Sequence, residues 1–381
     1  MADASRRLTR RLALAACLAL VGGVATAQPS TEPPPLAAFH AALARTARGE
    51  GVTRVMVWGA SHTASDQFTG FLRARWQRRW GDAGPGLVLP ASPFPLYDHQ
   101  AARFAPAGRW RASRVRGRQR QADAYGPMGF GLEARVAAIG WVETDDEVDR
   151  ARVFRGPTSG RLEIQAGEAR RVLHGGGTEH VELSGRFRRV TVRARGPARV
   201  LGLSLERDRP GVIVDAMGVP GARLRDRLPW RDDALREQLE VLSPALVVLA
   251  YGTNEAGFTG RPIRRYEREV DEAVRRLREV APGASCLLIG PSDWPRRSDD
   301  GTYVDRPRTA EVAATQRAAA RRHGCAFFDL VAFQGGPLSM PGWVDRGLAL
   351  GDHVHFTDAG HRRLASALDR ALRPRPHGRP H

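Results

Sequence analysis

The sequence predicts an α/β fold in which a parallel sheet, with helices on both faces, is interrupted by an inserted antiparallel β-domain. Apolar runs alternate with helical stretches, and roughly 130 residues rich in β-formers and glycine separate the first helical stretch from the second strand. Strand–helix alternation is typical of parallel sheets. A gap of that size is far too long for a connecting loop.

Five short apolar runs predict the strands of the parallel sheet. They are residues 52–59, 211–218, 245–252, 285–291 and 325–330. A helical stretch follows each run, and in 263–280 the apolar residues recur every three or four positions. This period places them on one helix face, which can then pack against the sheet.

Short β-rich segments that glycine interrupts at regular spacing, such as RLEIQAG and EHVELSG, predict the inserted domain. The pattern indicates an antiparallel sandwich. The predicted parts are a signal peptide (1–27), a first α/β segment (28–94), the β-sandwich (95–209), a second α/β segment (210–372) and a disordered tail (373–381).

The first residues have the features of a signal peptide. A basic stretch, SRRLTRR, precedes an apolar stretch that is too short to span a bilayer with its flanks. A small-x-small site ends at Ala27, so we expect cleavage there and a periplasmic or secreted protein. A twin-arginine signal and lipid attachment at Cys17 stay open as alternatives. No other run has the ~18 apolar residues of a membrane-spanning helix.

The formal net charge is +18, and because lysine is absent, all 59 basic residues are arginines. This bias indicates the codon usage of a GC-rich genome, so a solvated basic face is the simplest interpretation. The arginines at 114, 116, 118 and 120 alternate, which would put them on one face of a strand. An anionic cell-envelope surface is the alternative partner. Nucleic acid is not expected, since no binding motif is recognisable.

Two cysteines, Cys286 and Cys325, remain after the predicted cleavage, and each stands at the start of an apolar run. Their number and spacing exclude a disulfide scaffold and a CxxC zinc site. A single bridge between neighbouring strands fits an oxidising compartment. Two buried thiols fit the same positions equally well.

The candidate functional residues follow the predicted strands. Ligands of open parallel sheets bind beyond the carboxyl ends of the strands. Ser61 follows the first strand, Gly221 the second, Asn254 the third, and Asp352 with His355 the fifth. We therefore expect these residues at one edge of the sheet.

These residue types suit acyl transfer through a serine nucleophile. At a strand-to-helix turn, Ser61 would be exposed beside a helix N-terminus. The Gly221 N–H and the Asn254 amide can donate to an oxyanion. His355 can accept the serine proton while Asp352 holds its imidazole in the required tautomer.

Each residue also has a simpler interpretation. A serine at such a turn is usually a helix cap, and an isolated asparagine is more often a turn residue. Asp352, His353 and His355 could instead bind a metal, but the remaining histidines show no matching spacing. We therefore expect no metal and no cofactor, and the four blocks in order favour catalysis.

The blocks GASHT, GVPGA, YGTNEA and DHVHFTDAG together resemble those of the SGNH (GDSL-type) hydrolases, which supply Ser, Gly, Asn and His. The resemblance covers about residues 50–90 and 209–372. It implies a flavodoxin-like, doubly wound parallel sheet. Two positions depart from the family pattern, because Ala60 and Glu255 stand where aspartates are usual.

Carried over position by position, the resemblance implies a catalytic triad of Ser61, Asp352 and His355. It also implies an oxyanion hole formed by the backbone N–H groups of Ser61 and Gly221 and by the side-chain amide of Asn254.

A narrower resemblance is to the peptidoglycan O-acetylesterases, in which the β-insert resembles a carbohydrate-binding module. It is carried by Ser-His after the first strand, WGDAGPGLVLP, DAMGVPGA, YGTNEA and the position of the insert. It implies a secreted serine esterase that removes acetyl groups from the C6 hydroxyl of muramic acid. With the same triad, a plant-polysaccharide acetylesterase, a lipase-like esterase and an O-acetyltransferase remain alternatives. A non-catalytic cell-wall-binding protein is an alternative of another class.

Overall fold

A computed structural model describes residues 35–116 and 125–374 of the chain. The predicted signal peptide with Cys17, the arginines Arg118 and Arg120, and residues 375–381 of the predicted tail lie outside the described residues. Within the described ranges, no helix is long and apolar enough to cross a membrane.

The chain alternates between strands and helices on both sides of a long β-rich segment. The strands are β1 (Val52–Gly59), β2 (Gly86–Val88), β3 (Arg103–Gly108), β4 (Arg111–Arg114), β5 (Phe130–Ala134), β6 (Ala138–Arg155), β7 (Arg161–Ala166), β8 (Ala169–His174), β9 (Glu179–Arg195), β10 (Ala198–Glu206), β11 (Gly211–Gly218), β12 (Leu246–Ala250), β13 (Ser285–Ile289), β14 (Arg296–Arg297), β15 (Tyr303–Val304) and β16 (Ala326–Phe328). The helices are α1 (Ala37–Ala47), α2 (Ser61–Ala64), α3 (Gln67–Trp80), α4 (Asp232–Leu242), α5 (Thr253–Ala256), α6 (Ile263–Val280), α7 (Pro307–Arg322), α8 (Leu330–Gln334), α9 (Met340–Asp345) and α10 (Asp358–Leu372), with a 3-10 turn at Leu224–Arg227.

The parallel sheet has the strand order β11-β1-β12-β13-β16. Counted along the chain this is the order 2-1-3-4-5 of flavodoxin-like sheets. Every pairing is parallel, and each strand lies within one of the five apolar runs. Strands β11 and β13 are buried along their whole length, as expected for a sheet covered on both faces. The predicted α/β fold class is confirmed.

The antiparallel sheet lies between β1 and β11 in the chain, as an inserted β-domain would. The long strands β6 and β9 pair with each other throughout, and shifts of register interrupt the pairing between Glu143 and Arg150. On one side of these shifts β6 also pairs with β3, and on the other side it pairs with β10. Strand β6 thus changes neighbours halfway along, which is how bulged strands pass between the layers of a sandwich.

Strand β2 belongs to the antiparallel sheet although it precedes residue 95, the predicted start of the insert. It pairs with β10, with Val88 opposite Leu203. One hydrophobic core continues from helices α4, α6 and α7 into the antiparallel sheet, and a second core lies between the parallel sheet and helices α1, α3 and α10. The β-domain is therefore packed against the α/β domain through a shared core.

A buried ionic network joins the two sheets. Arg54 of β1, which is 3% exposed, forms an ion pair with Asp215 of β11, with 2.9 Å between Nε and Oδ2, and donates from Nη1 to Glu206 of β10 at 3.0 Å. Its Nη2 donates to Ser204 at 2.5 Å, and Asp215 also accepts the Leu87 N–H at 2.7 Å. Because a buried charge is costly without such partners, the network fixes the β-domain relative to β1.

Cys286 and Cys325 form a disulfide, with their Cα atoms 4.8 Å apart. Cys286 lies in β13, and Cys325 lies one residue before β16, the neighbouring strand. Of the two arrangements open from the sequence, the structure therefore has the bridge. It joins two residues that are 39 positions apart in the chain, at the edge of the parallel sheet.

We expect the Cys286→Ala/Cys325→Ala double variant to unfold with a free energy about 2–4 kcal/mol lower than wild type, because the bridge restricts the unfolded chain. Urea denaturation of the oxidised protein and of the variant measures the difference. Dithiothreitol should destabilise the wild type by a similar amount and leave the variant unchanged. Equal unfolding free energies for the oxidised wild type and the variant would contradict this expectation.

Candidate active site

The ends of three neighbouring strands are level with one another. Gly59 at the end of β1 lies opposite Gly218 of β11 and Ala250 of β12. Each predicted residue lies a few positions beyond the end of its strand: Ser61 two positions beyond β1, Gly221 three beyond β11 and Asn254 four beyond β12. The order and register of the strands therefore place these predicted residues at one edge of the sheet.

A chain of hydrogen bonds links Ser61, His355 and Asp352. His355 Nε2 is 2.8 Å from Ser61 Oγ, although the two residues are 294 positions apart. His355 Nδ1 is 2.6 Å from Asp352 Oδ2. The His355 and Asp352 side chains are 41% and 47% exposed, so the site is open to solvent.

The carboxylate of Asp352 sets the tautomer of His355. Burial pushes the pKa of Asp352 upward, but hydrogen bonds from His355 Nδ1 and from the backbone N–H groups of His355 and Val354 outweigh it and lower this pKa. An ionised carboxylate can only accept, so Nδ1 of His355 carries the proton. Nε2 is then left with a lone pair directed at the Ser61 hydroxyl.

His353 holds the loop that carries this pair. Its backbone has φ of 57°, in the left-handed region, and its Nδ1 donates to Gly351 O at 2.9 Å. Its ring packs on Tyr303 of β15, with the ring centroids 4.7 Å apart. His353 therefore stabilises the conformation of the loop that carries Asp352 and His355.

His62, next to Ser61, packs behind the site. Its Nε2 is 2.9 Å from Val354 O, and because a carbonyl oxygen only accepts, Nε2 is protonated. Burial and then the neighbouring His355 lower the pKa of His62 to about 4, so it stays neutral at physiological pH. Its ring contacts Phe356 at a centroid distance of 4.8 Å. The residue joins the serine turn to the histidine loop.

The predicted oxyanion groups also meet at this edge. Gly221 has φ of 69°, which a side chain would strain. Asn254 Nδ2 donates to Ala222 O at 2.9 Å, which brings the amide against the Gly221 turn and leaves its second N–H free. Within the described residues, the backbone N–H groups of Ser61 and Gly221 donate to no protein acceptor. All three can therefore donate to a ligand.

Glu255, one of the two departures from the family pattern, joins the second and third blocks. Its Oε2 accepts the Gly252 N–H at 3.0 Å and its Oε1 accepts the Leu224 N–H at 2.7 Å. Burial raises the pKa of Glu255 to about 7. One side chain thus connects the turn that carries Asn254 to the chain that follows Gly221.

Gly218 is needed for the approach of α2 to the sheet. A Cβ atom at this position would overlap the backbone N and Cα of Ala64 in α2, the short helix that begins with Ser61. Backbone atoms cannot move aside as a flexible side chain can. The glycine therefore sets the distance between the turn that carries Ser61 and the strand end.

We expect Gly218→Ala to lower kcat/KM for ester hydrolysis by about 10²-fold, because a shift of α2 moves Ser61 away from His355 and small misplacements carry large costs. Steady-state kinetics on a soluble acetyl ester measure this, with circular dichroism to show that the variant is folded. Gly283→Ala is the matched control, since a Cβ there meets no atom within 4 Å. Wild-type kinetics for Gly218→Ala would contradict the argument.

The alternative of a metal site is not supported by the geometry. Asp352 and His355 are directed at each other, whereas the His353 Nδ1 is directed at a backbone carbonyl. In the part of the chain that the structure describes, no three His, Cys, Asp or Glu side chains are grouped so that they could hold a metal ion.

Two arginines near Gly221 were not predicted from the sequence as site residues. Arg116 donates to Pro220 O at 3.3 Å, and Arg223 donates to Asn254 O at 3.3 Å. The alternation of arginines around residue 116 was visible in the sequence, but nothing in that pattern indicates which turn they contact.

Comparisons with known proteins agree with the predicted family. Residues 178–363 match the model of the GDSL-like Lipase/Acylhydrolase family. The match includes Gly221, Asn254, Asp352 and His355, but Ser61 lies before it, on the other side of the inserted strands. No curated protein matches the sequence.

Among solved structures, the chain is similar to a peptidoglycan O-acetylesterase, with 28% sequence identity and a TM-score of 0.77. That match covers 88% of this chain and 96% of the other. An acetyl xylan esterase is 18% identical, with a TM-score of 0.32 and coverage of 42% and 80%. A lipase/acylhydrolase from Enterococcus faecalis is 20% identical, with a TM-score of 0.32 and coverage of 42% and 76%.

The first of these structures aligns over the parallel sheet and the inserted β-strands together, as its coverage requires. The family match and this similarity, taken with the residues at the sheet edge, bear out the resemblance first noted in the sequence. The chain contains a GDSL-like lipase/acylhydrolase domain, and it is an esterase whose fold is similar to that of a peptidoglycan O-acetylesterase.

Proposed function

We propose that this protein is a secreted serine esterase that removes acetyl groups from a polysaccharide, namely O-acetylated peptidoglycan. The observation that carries the proposal is the chain Ser61–His355–Asp352, with contacts of 2.8 and 2.6 Å. It lies at the edge where, among the described residues, the backbone N–H groups of Ser61 and Gly221 and one amide N–H of Asn254 have no protein acceptor. A serine, a base and an orienting acid at hydrogen-bond distance are what acyl transfer needs.

In the acylation step, Ser61 Oγ attacks the carbonyl carbon of the acetyl ester while His355 Nε2 takes the hydroxyl proton. Asp352 stabilises the imidazolium that forms, and it remains ionised because its pKa is lowered. The N–H groups of Ser61 and Gly221 and the amide of Asn254 donate to the tetrahedral oxyanion. His355 then protonates the leaving sugar oxygen, which frees the hydroxyl and leaves Ser61 acetylated.

Deacylation repeats these steps with water. His355 Nε2 takes a proton from a water molecule, whose oxygen attacks the acetyl-serine carbonyl. The same three donors hold the second oxyanion, and the proton returns from His355 to Ser61 as acetate leaves. No step needs a cofactor.

The glycan substrate is supported by the similarity to a peptidoglycan O-acetylesterase over nearly the whole of both chains. The open site supports it further, because a polymer can reach Ser61 only if the side chains around it are accessible. The signal-peptide pattern supports secretion, since peptidoglycan lies outside the cytoplasmic membrane. Amino-terminal sequencing of the exported protein tests cleavage after Ala27.

The test of the proposed function is acetate release by the mature protein from O-acetylated peptidoglycan, beside acetylated xylan and a long-chain ester. Release from peptidoglycan that requires Ser61 is the expected result. Activity confined to xylan or to the long-chain ester would keep the triad and reject the substrate. Transfer of acetyl to a glycan in preference to hydrolysis would indicate an O-acetyltransferase. Wall binding without turnover of any ester would indicate a binding protein.

A further inference from the structure

Three arginines border the turn that carries Gly221. Arg116 lies just beyond the end of β4 in the β-domain, and Arg223 and Arg225 follow the turn itself. Arg116 Nη1 donates to Pro220 O at 3.3 Å, and a Cβ atom on Gly221 would lie 2.9 Å from Arg116 Cζ. The inserted domain therefore reaches the proposed oxyanion hole through one guanidinium group.

The same cluster extends to the turn that carries Asn254. Arg223 Nε donates to Asn254 O at 3.3 Å. Its guanidinium lies 4.3 Å from the ring centroid of Phe258, and that of Arg225 lies 5.7 Å from the same ring. The positive groups thus line both turns from which the oxyanion donors come.

The neighbouring acids do not pair directly with the guanidinium groups of this cluster. Asp226 accepts the Arg223 backbone N–H at 2.8 Å, and both oxygens of Glu255 accept backbone N–H groups. Within the described residues, none of the three arginines forms an ion pair with a carboxylate. Burial and then the charge of Arg225 lower the pKa of Arg223. The charges of Glu255 and Asp226 oppose this shift, and Arg116 adds to it. Because the guanidinium groups have no carboxylate within ion-pair distance in the described residues, their N–H donors remain available to an anionic ligand.

We propose that Arg116, supported by Arg223, binds a carboxylate of the substrate beside the scissile ester and so selects acid-bearing glycans over neutral ones. A guanidinium matches a carboxylate through two parallel N–H donors. This proposal rests on the proposed function, since muramic acid carries a lactyl carboxyl group that is either free or linked to a peptide with carboxylates of its own.

Such a contact forms in the bound substrate and persists in the transition state. It therefore lowers KM more than it raises kcat. Because Arg116 is exposed, water screens the interaction, and about tenfold in kcat/KM is the expected contribution.

The test combines one substitution in the enzyme, Arg116→Gln, with one chemical change in the substrate, the amidation of its carboxyl groups. Acetate release is measured for wild type and Arg116→Gln on soluble O-acetylated peptidoglycan fragments, and on the same fragments after their carboxyl groups are converted to methylamides. For wild type, kcat/KM should fall about tenfold on amidation, mainly through KM. For Arg116→Gln it should already be low on the acid-bearing fragments and change little on amidation.

Two further variants sharpen the comparison. Arg116→Lys keeps the positive charge but cannot donate two parallel N–H groups to one carboxylate. Its kcat/KM on the acid-bearing fragments should therefore lie between those of wild type and Arg116→Gln. Arg109→Gln is the matched control for net charge, because Arg109 precedes β4, at the opposite end of that strand from Arg116. It should keep the wild-type dependence on amidation.

The outcomes separate this inference from the proposed function. No Ser61-dependent acetate release from any peptidoglycan fragment would overturn the proposed function and this inference with it. Release in which wild type and Arg116→Gln lose the same factor on amidation would overturn the inference alone. An equal loss of kcat by Arg116→Gln on both substrates would assign Arg116 to the chemical step and would also overturn it.

Two carboxylates of peptidoglycan can supply this chemistry. Fragments freed of peptide expose only the lactyl carboxylate, whereas peptide-bearing fragments expose only those of the peptide. The fragment type on which the difference between wild type and Arg116→Gln is larger identifies the carboxylate that is bound.

Discussion

Replacing Ser61 with alanine is expected to lower kcat/KM for ester hydrolysis by about 10⁴-fold or more, with the fold intact. Without the hydroxyl no acyl-enzyme can form, and the oxyanion donors alone provide only residual catalysis. The loss of one oxygen atom from a half-buried position at a helix start costs little stability. Acetate release and thermal unfolding of the same preparation measure both properties.

A serine four positions further on provides the control. Ser65 donates to Leu96 O at 2.6 Å and has no contact with His355. Ser65→Ala should therefore turn over close to the wild-type rate. Mass spectrometry of wild type mixed with an activated acetyl ester should show one added acetyl group, and Ser61→Ala should show none. Normal turnover by Ser61→Ala would reject the mechanism.

Replacing Asp352 with asparagine is expected to lower kcat by about 10²–10⁴-fold. The amide oxygen of asparagine can still accept the Val354 and His355 backbone N–H groups, so the loop should keep its shape. Its NH₂ group, however, donates toward His355 Nδ1, which moves the imidazole proton to Nε2. A protonated Nε2 cannot accept from Ser61, and loss of the correct tautomer has this order of effect in serine hydrolases.

Asp358→Asn, in the first turn of α10, is the matched control, because it removes an exposed carboxylate of the same region without contacting His355. Steady-state kinetics on one acetyl ester compare the kcat of Asp352→Asn with that of Asp358→Asn. If Asp352→Asn were as active as Asp358→Asn, Asp352 would only stabilise the loop, and His355 would act without an orienting acid.

The family match illustrates how an insertion affects recognition. It begins at residue 178, inside the antiparallel sheet, and so excludes Ser61. Ser61, the proposed nucleophile, is indicated instead by its position after a predicted strand, since the order of strands in a parallel sheet predicts which loops share an edge. In the structure this edge is made by Gly59, Gly218 and Ala250, which are in register.

Other features had no counterpart in the sequence. The choice between a disulfide and two thiols depended on whether β13 and β16 are neighbours, which apolar runs do not reveal. His353 is held by a ring contact with Tyr303, which lies fifty residues earlier in the chain, and the sequence does not indicate this contact. Glu255 looked like a departure from the family pattern, and its two backbone partners became visible only when the turns at Gly252 and Leu224 were brought together.

The sequence by itself determined the α/β fold class, the five strands of the parallel sheet and the candidates Ser61, Gly221, Asn254, Asp352 and His355. These follow from local patterns, because apolar runs define strands and turn residues come directly after them. Only the tertiary structure decided the 2.8 Å contact of His355 with Ser61, the bridge of Cys286 to Cys325 and the approach of Arg116 to Gly221. Those distances join residues far apart in the chain, and they are set by strand register and by the packing of the β-domain against the sheet.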